Sequence, residues 1–155
     1  MEENSILSQS YVKLAESRME ELKNYKGRGY FKITTSQIRK LLSILNDIYA
    51  YAVSVAAKSS DDEDVIKSQD QTLKEKMEYF KMRCIYESGR DEYTDKSKST
   101  GVHDFIEVTE IIDYLDKFDK VDDHKDLHAS FIWIFHYMES LVAYHRFLGG
   151  KDSER

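Results

Sequence analysis

At 155 residues the chain has room for one domain with one sizeable core, and no apolar run approaches the roughly 20 residues of a membrane-spanning helix. Apolar residues make up 41% and charged residues 34%, with no Pro, six Gly and one Cys, which excludes a disordered chain, an internal disulfide and a turn-rich sandwich. The formal net charge of −6 argues against a uniformly basic nucleic-acid domain.

The first expected helix runs from about Ser5 to Asn24. Ile6, Val12, Leu14, Met19 and Leu22 give it a thin apolar face suited to a peripheral position. Gly27 and Gly29 among Lys26, Arg28 and Lys32 read as a basic loop. Thr34-Thr35-Ser36-Gln37 is a capping box: the Thr34 hydroxyl accepts the third helical amide and Gln37 reaches back. The second helix, from Thr35 to about Lys58, carries Ile38, Leu41, Leu42, Leu45, Ile48, Tyr49, Ala52 and Val55 on one stripe.

An acidic linker at Ser59–Asp64 leads to a third helix, about Val65 to Ser88, expected to stop at Gly89 as a left-handed cap. Residues 90–103 read as a polar loop. Asp104 is the expected cap of a short fourth helix with Phe105, Val108, Ile112, Leu115 and Phe118 inward. After an acidic connector, a fifth helix runs from about Leu127 to Leu148. It is apolar on nearly every side, as the centre of a bundle is. Gly149-Gly150 ends it. The expected fold is an all-α, single-domain bundle of about five helices spanning 1–155, with a peripheral 1–33, a core at 34–150 and a tail at 151–155.

Charge is unevenly distributed. Residues 1–58 hold nine basic and six acidic side chains, and residues 71–90 five and three, whereas residues 91–126 hold five and twelve. On the third helix Lys76, Arg83 and Arg90 recur every seven residues beside Tyr79 and Tyr86. Cations pair with phosphates and tyrosine rings stack on bases, so the strip suits single-stranded nucleic acid. It equally suits stems lying along a core, and Lys67, Lys74 and Lys81 on the opposite flank favour that reading. Arg39 and Lys40 open the second helix just after Lys26, Arg28 and Lys32; they form either a phosphate-binding region at a helix N-terminus or a solvated face.

Enzymatic patterns are missing: there is no P-loop, GxSxG, GxGxxG or CxxC, and no paired carboxylates accompany Glu139, which is expected to pair with a neighbouring base or to cap a packing contact. Cys84 lies on a core stripe and reads as packing. His124 and His128 are spaced i,i+4 beside Asp122, Asp123 and Asp126, but no third ligand is fixed by spacing, so a solvated acidic loop without metal is expected. His145 falls inside a core stripe and reads as a hydrogen-bonded core histidine. The acidic start Met1-Glu2-Glu3-Asn4 lacks a signal-peptide pattern, and with one cysteine a cytoplasmic protein is expected.

Three stretches in order, Thr34-Thr35-Ser36-Gln37-Ile38-Arg39-Lys40-Leu41-Leu42, Tyr86-Glu87-Ser88-Gly89-Arg90, and Tyr137 to Gly150 (YMESLVAYHRFLGG), resemble the small subunit of the type III-A CRISPR effector, the Csm complex. The resemblance covers most of Thr34 to Gly150; loops 59–70 and 91–103 look longer and more acidic than the family needs. It implies a small helical protein, several copies of which stack beside the backbone subunits. The implied partners are guide RNA and target RNA, the backbone and large subunits, and copies of itself, with no membrane. No catalytic role, cofactor or metal is implied. Arg39, Lys40 and Arg90 lie in matching motifs and become the expected phosphate contacts; Arg83, Tyr86 and Arg146, with Lys32 from the basic loop, follow on less direct grounds. A helical protein–protein adaptor without RNA contact is the alternative.

Overall fold

The computed structural model describes residues 6–58, 60–93 and 101–152, with residues 91–93 as backbone alone. Six α-helices form the described chain: α1 (Tyr11–Lys23), α2 (Thr35–Lys58), α3 (Glu63–Tyr93), α4 (Gly101–Thr109), α5 (Ile111–Asp119) and α6 (His124–Phe147). Short 3₁₀ turns at Ile6–Ser8 and Tyr25–Gly27 flank α1, and no strand occurs among the described residues. The fold is therefore all-α, with six helices where the sequence pattern predicts about five.

The added helix comes from a break inside the expected fourth one. Glu110 takes a left-handed conformation, φ +57°, between α4 and α5. The break resets the helical phase, so Ile111 rather than Ile112 joins Phe105, Val108, Leu115 and Phe118 in the core. The Tyr137 hydroxyl, from the middle of α6, donates to the Thr109 carbonyl at the break over 2.7 Å. Burial holds that phenol well above the usual tyrosine range, so it stays a donor.

Two other boundaries differ from the sequence pattern. Asp104 does not cap a helix: α4 starts at Gly101, whose Cα packs so close to the Lys32–Ile33 backbone that a Cβ would lie 3.0 Å from the Ile33 nitrogen. Asp104 is thereby carried inside α4 and buried. Gly89 is not a left-handed cap either; α3 continues through it to Tyr93. The two ends of the expected 90–103 loop are helical, in α3 and α4, and its middle, 94–100, lies outside the described residues, as do Ser59, the start of the chain through Ser5, and residues 153–155.

The central helix is α6. Leu127, Phe131, Ile134, Met138 and Leu141 are buried on one side, and Trp133 and Tyr137 on another. Helix α2 runs antiparallel to it, with Tyr49 stacked on Phe135 at 4.5 Å near the middle and Thr35 meeting His145 at one end. Helix α1 runs alongside α6, with Ala15 and Met19 fully buried and Tyr11 edge-on to Trp133. Its narrow face is thus part of the bundle interior. On α3, Leu73, Met77, Phe80 and Cys84 face inward, and burial pushes the Cys84 thiol up to about 12, so it stays protonated packing.

The capping box forms as its chemistry requires: the Gln37 amide donates to the Thr34 hydroxyl at 3.1 Å and the Thr34 amide donates to the Gln37 carbonyl oxygen at 2.9 Å. Beside it the end of α6 closes in a Schellman motif, with Gly150 N–H to the His145 carbonyl and Gly149 N–H to the Arg146 carbonyl. Gly149 has φ +102°. His145 is fully buried at this junction. Its Nε2–H donates to the Ile33 carbonyl at 2.9 Å, which leaves Nδ1 to accept from the Thr35 hydroxyl at 3.1 Å. Burial lowers its affinity for a proton below that of an ordinary histidine.

Two outcomes test this region. Gly150→Ala places a Cβ inside the His145 ring envelope and should cost about 1–3 kcal/mol, whereas Gly89→Ala, in open helix, should gain about 0.5–1 kcal/mol; urea midpoints read both, and a neutral Gly150→Ala would place the ring elsewhere. Because His145 binds its proton more weakly folded than its unfolded reference of 6.5, its contribution is complete above that pH and falls as acid protonates the unfolded chain first. The loss of stability between about pH 7.5 and about pH 5 should therefore be smaller in His145→Gln than in the parent, and equal slopes would refute it.

Candidate nucleic-acid interface

Helix α2 is antiparallel to both α3 and α6, so the start of α2, the end of α3 and the end of α6 meet at one end of the bundle. All seven residues that the sequence points to, Lys32, Arg39, Lys40, Arg83, Tyr86, Arg90 and Arg146, lie there. Four of them converge. Glu87 of α3, whose side chain is 11% exposed, pairs with Arg83 at 2.9 Å, with Lys40 from α2 at 3.4 Å and with Arg90 at 3.6 Å. The Arg83 guanidinium also lies 5.1 Å from the Tyr86 ring centroid. Three cations share one carboxylate, which leaves a local excess of two positive charges.

That excess faces solvent. The Lys40 and Arg90 side chains are 49% and 52% exposed, and Tyr79 and Tyr86 are each 53% exposed two helical turns apart. Arg39 is exposed and has no ion pair among the described residues. A cation held on one side by a nearly buried carboxylate is oriented yet still able to meet a phosphate on the other. Sequence reasoning misses Glu87. Its i,i+4 spacing from Arg83 is the signal that could find it; the arrival of Lys40 from α2 has no such signal.

Other sequence candidates have structural employment. Arg146 pairs with Asp152. Lys32 is half-buried beside the start of α4. Arg28 of the basic loop pairs with the buried Asp104 at 2.6 Å, both side chains nearly enclosed. The opposite flank of α3 is engaged too: Lys81 meets Asp116 of α5 at 2.6 Å and Lys74 donates to the Asp119 carbonyl at 2.9 Å.

The amides at the start of α2, expected to favour phosphate, are already occupied. The Thr35 amide donates to the Lys151 carbonyl at 2.8 Å, the Ser36 amide to the Asp152 carbonyl at 3.1 Å, and Gln37 to Thr34. The tail covers these amides, so an anion at this end would meet side chains.

Among the remaining titratable residues, Glu139 accepts from His136 Nδ1 at 2.7 Å, the neighbouring base expected for it. The expectation for His124 and His128 requires correction. They do not stand alone in a solvated acidic loop: α6 starts early, at His124, capped by Asp123, and Asp70 of α3 reaches both rings.

The matched stretches now have a spatial meaning, since the capping box, the Glu87 segment and the His145–Gly150 turn assemble at one end. Residues 9–151 match the model of the Csm2 Type III-A family. This chain belongs to that family. It is a small-subunit protein of the type III-A CRISPR effector. Similar curated proteins include "CRISPR system Cms protein Csm2" of Streptococcus thermophilus, 29% identical over 95% of this chain and 98% of the relative. The protein of that name from Enterococcus italicus is 33% identical over 74% of this chain and 67% of the relative. That from Mycobacterium tuberculosis is 28% identical over 96% and 98%.

The two kinds of arginine at this end should separate by stability. Arg28→Ala removes the guanidinium paired with the buried Asp104 and should cost about 2–3 kcal/mol, with partial recovery in Arg28→Lys; Arg39→Ala should stay within about 0.5 kcal/mol of the parent. Denaturant unfolding measures this, and equal effects would contradict the division.

Proposed function

We propose that this chain is a non-catalytic, RNA-binding structural subunit of a cytoplasmic type III-A CRISPR ribonucleoprotein, present in several copies that line guide and target RNA beside the backbone and large subunits. The observation that carries the reading is the convergence of Lys40, Arg83 and Arg90 on Glu87, with Arg39 and Tyr86 exposed beside them, in a chain of this family. A guide–target duplex carries any sequence, so a subunit lining it needs contacts to backbone and shape rather than to base edges. Charged side chains on two rigid helices meet that need. Tyr79 and Tyr86 add apolar ring faces for exposed sugars or bases. No helix among the described residues is long and apolar enough to cross a membrane, in keeping with a subunit of a water-borne particle.

The test is Arg39→Ala, Lys40→Ala and Arg90→Ala, each in the assembled complex, against two unrelated guide–target pairs at several salt concentrations. Removing a charge that neutralises a phosphate should weaken both pairs alike and reduce the salt slope by about one unit. Glu87→Gln should act in the opposite direction by adding to the local positive charge. Unchanged target binding in every variant would leave the helical protein–protein adaptor as the better reading. Weaker binding confined to one sequence would mean base recognition.

A further inference from the structure

The described residues hold one group of three metal-competent side chains whose ligand atoms lie within 4.8 Å of one another: Asp70, His124 and His128. The distances are those of a nearly assembled site. His124 Nδ1 is 2.9 Å from both Asp70 oxygens, and His128 Nε2 is 3.1 Å from Oδ1. Bonds of about 2.0–2.1 Å at tetrahedral angles place neighbouring ligand atoms roughly 3.3 Å apart; both histidine–carboxylate spacings lie within a few tenths of an ångström of that, and the two ring nitrogens lie within 4.8 Å of each other.

The surroundings suit a cation. Asp122, Asp123 and Asp126 flank the histidines in sequence, and Lys74, one turn beyond Asp70 on α3, donates to the Asp119 carbonyl and pairs with Asp122. The rings lie one helical turn apart on α6, with centroids 4.6 Å apart, so one rigid element presents both. Asp70 side-chain exposure is 15% and that of His128 is 23%, against 44% for His124. The site is thus closed on the protein side and open to water on the other, which leaves a fourth coordination position to solvent.

We propose that Asp70, His124 and His128 bind a divalent transition-metal ion of the zinc class, which clips α3 to α6. Two imidazoles and one carboxylate make a borderline-soft set that prefers Zn²⁺, Co²⁺ or Ni²⁺ over Mg²⁺ and Ca²⁺, which favour all-oxygen ligands. The clip joins residues more than fifty positions apart in the chain. Asp70 and Glu87 are 17 positions apart on α3, about 26 Å along its axis, so the ion would sit at the opposite end of the bundle from the cation cluster. The three side chains lie outside the hydrophobic core, so the ion would add to the stability that the core supplies.

The experiment uses tag-free full-length protein stripped with EDTA. Zn²⁺ is titrated by calorimetry and followed by thermal unfolding, and Co²⁺ by its visible absorption, with Mg²⁺ as control. The expected result is one equivalent of Zn²⁺, a higher melting temperature, and a Co²⁺ band set by nitrogen and oxygen ligands. Asp70→Asn and His128→Gln, both part-buried but outside the hydrophobic core, should keep the parent's circular dichroism and weaken Zn²⁺ binding at least about tenfold. Binding should weaken on acidification, because ligating imidazoles must be neutral. Absence of Zn²⁺ binding by the parent, equal binding by the variants, or equal affinity for Mg²⁺ would each overturn the proposal and leave the trio as a histidine–carboxylate clasp.

Discussion

A helix that is apolar around most of its circumference cannot rest on one neighbour. Helix α6 carries aromatic and aliphatic side chains on two faces at once, with Phe131, Met138 and Leu141 on one and Trp133 and Tyr137 on another. Leaving either in water would forfeit about 1.5–3 kcal/mol per large side chain. The rest of the bundle answers that demand. Helix α2 covers one side through Tyr49 and Leu45, α1 another through Ala15, Met19 and Leu22, and α5 a third through Tyr114 against Trp133 and Tyr137. The polar groups of α6 that go inside are matched individually. Tyr137 finds the Thr109 carbonyl freed where the chain turns at Glu110, and His145 finds Ile33 and Thr35.

Antiparallel packing of α2 against α3 and α6 has an electrostatic consequence. It brings the basic start of α2 and the basic end of α3 together, while the acidic residues 119–126 and Asp70 gather at the other end. A chain with net charge −6 can thereby present a positive surface. Glu87 keeps that surface ordered. Three cations placed together without it would repel and spread; with it they are held at 2.9–3.6 Å and still exceed it in charge.

The tail has a part that composition alone conceals. Lys151 and Asp152 close the first turn of α2 with their carbonyls, and the Schellman turn at Gly149-Gly150 delivers them there. Geometry thus explains the glycine pair of the final stretch: one glycine supplies a left-handed φ, and the other leaves room for a histidine ring. The same turn links the end of α6 to the end of the bundle that carries the cation cluster.

Local physics made much of this legible before any packing was known. The i,i+3/i,i+4 stripe of α2 named its core face; the capping box named the start of α2; the all-round hydrophobicity of α6 named the centre; and the seven-residue repeat Lys76–Arg83–Arg90 beside tyrosines named a face. Features that depend on residues distant in the chain came only with the folded bundle. Gly89 stays helical because nothing at an exposed site forces a left-handed turn, and the fourth helix breaks at Glu110 where Tyr137 can satisfy the freed carbonyl. Asp104 exchanges a capping role for Arg28, 76 positions away, and Asp70 finds two histidines 54 and 58 positions on. Spacing along one helix fixes which side chains share a face, because the helical repeat is rigid. Which face meets which partner is settled only when the loops close and the core packs, so Lys40 on Glu87 and Asp70 on His124 and His128 belong to the fold and not to any motif.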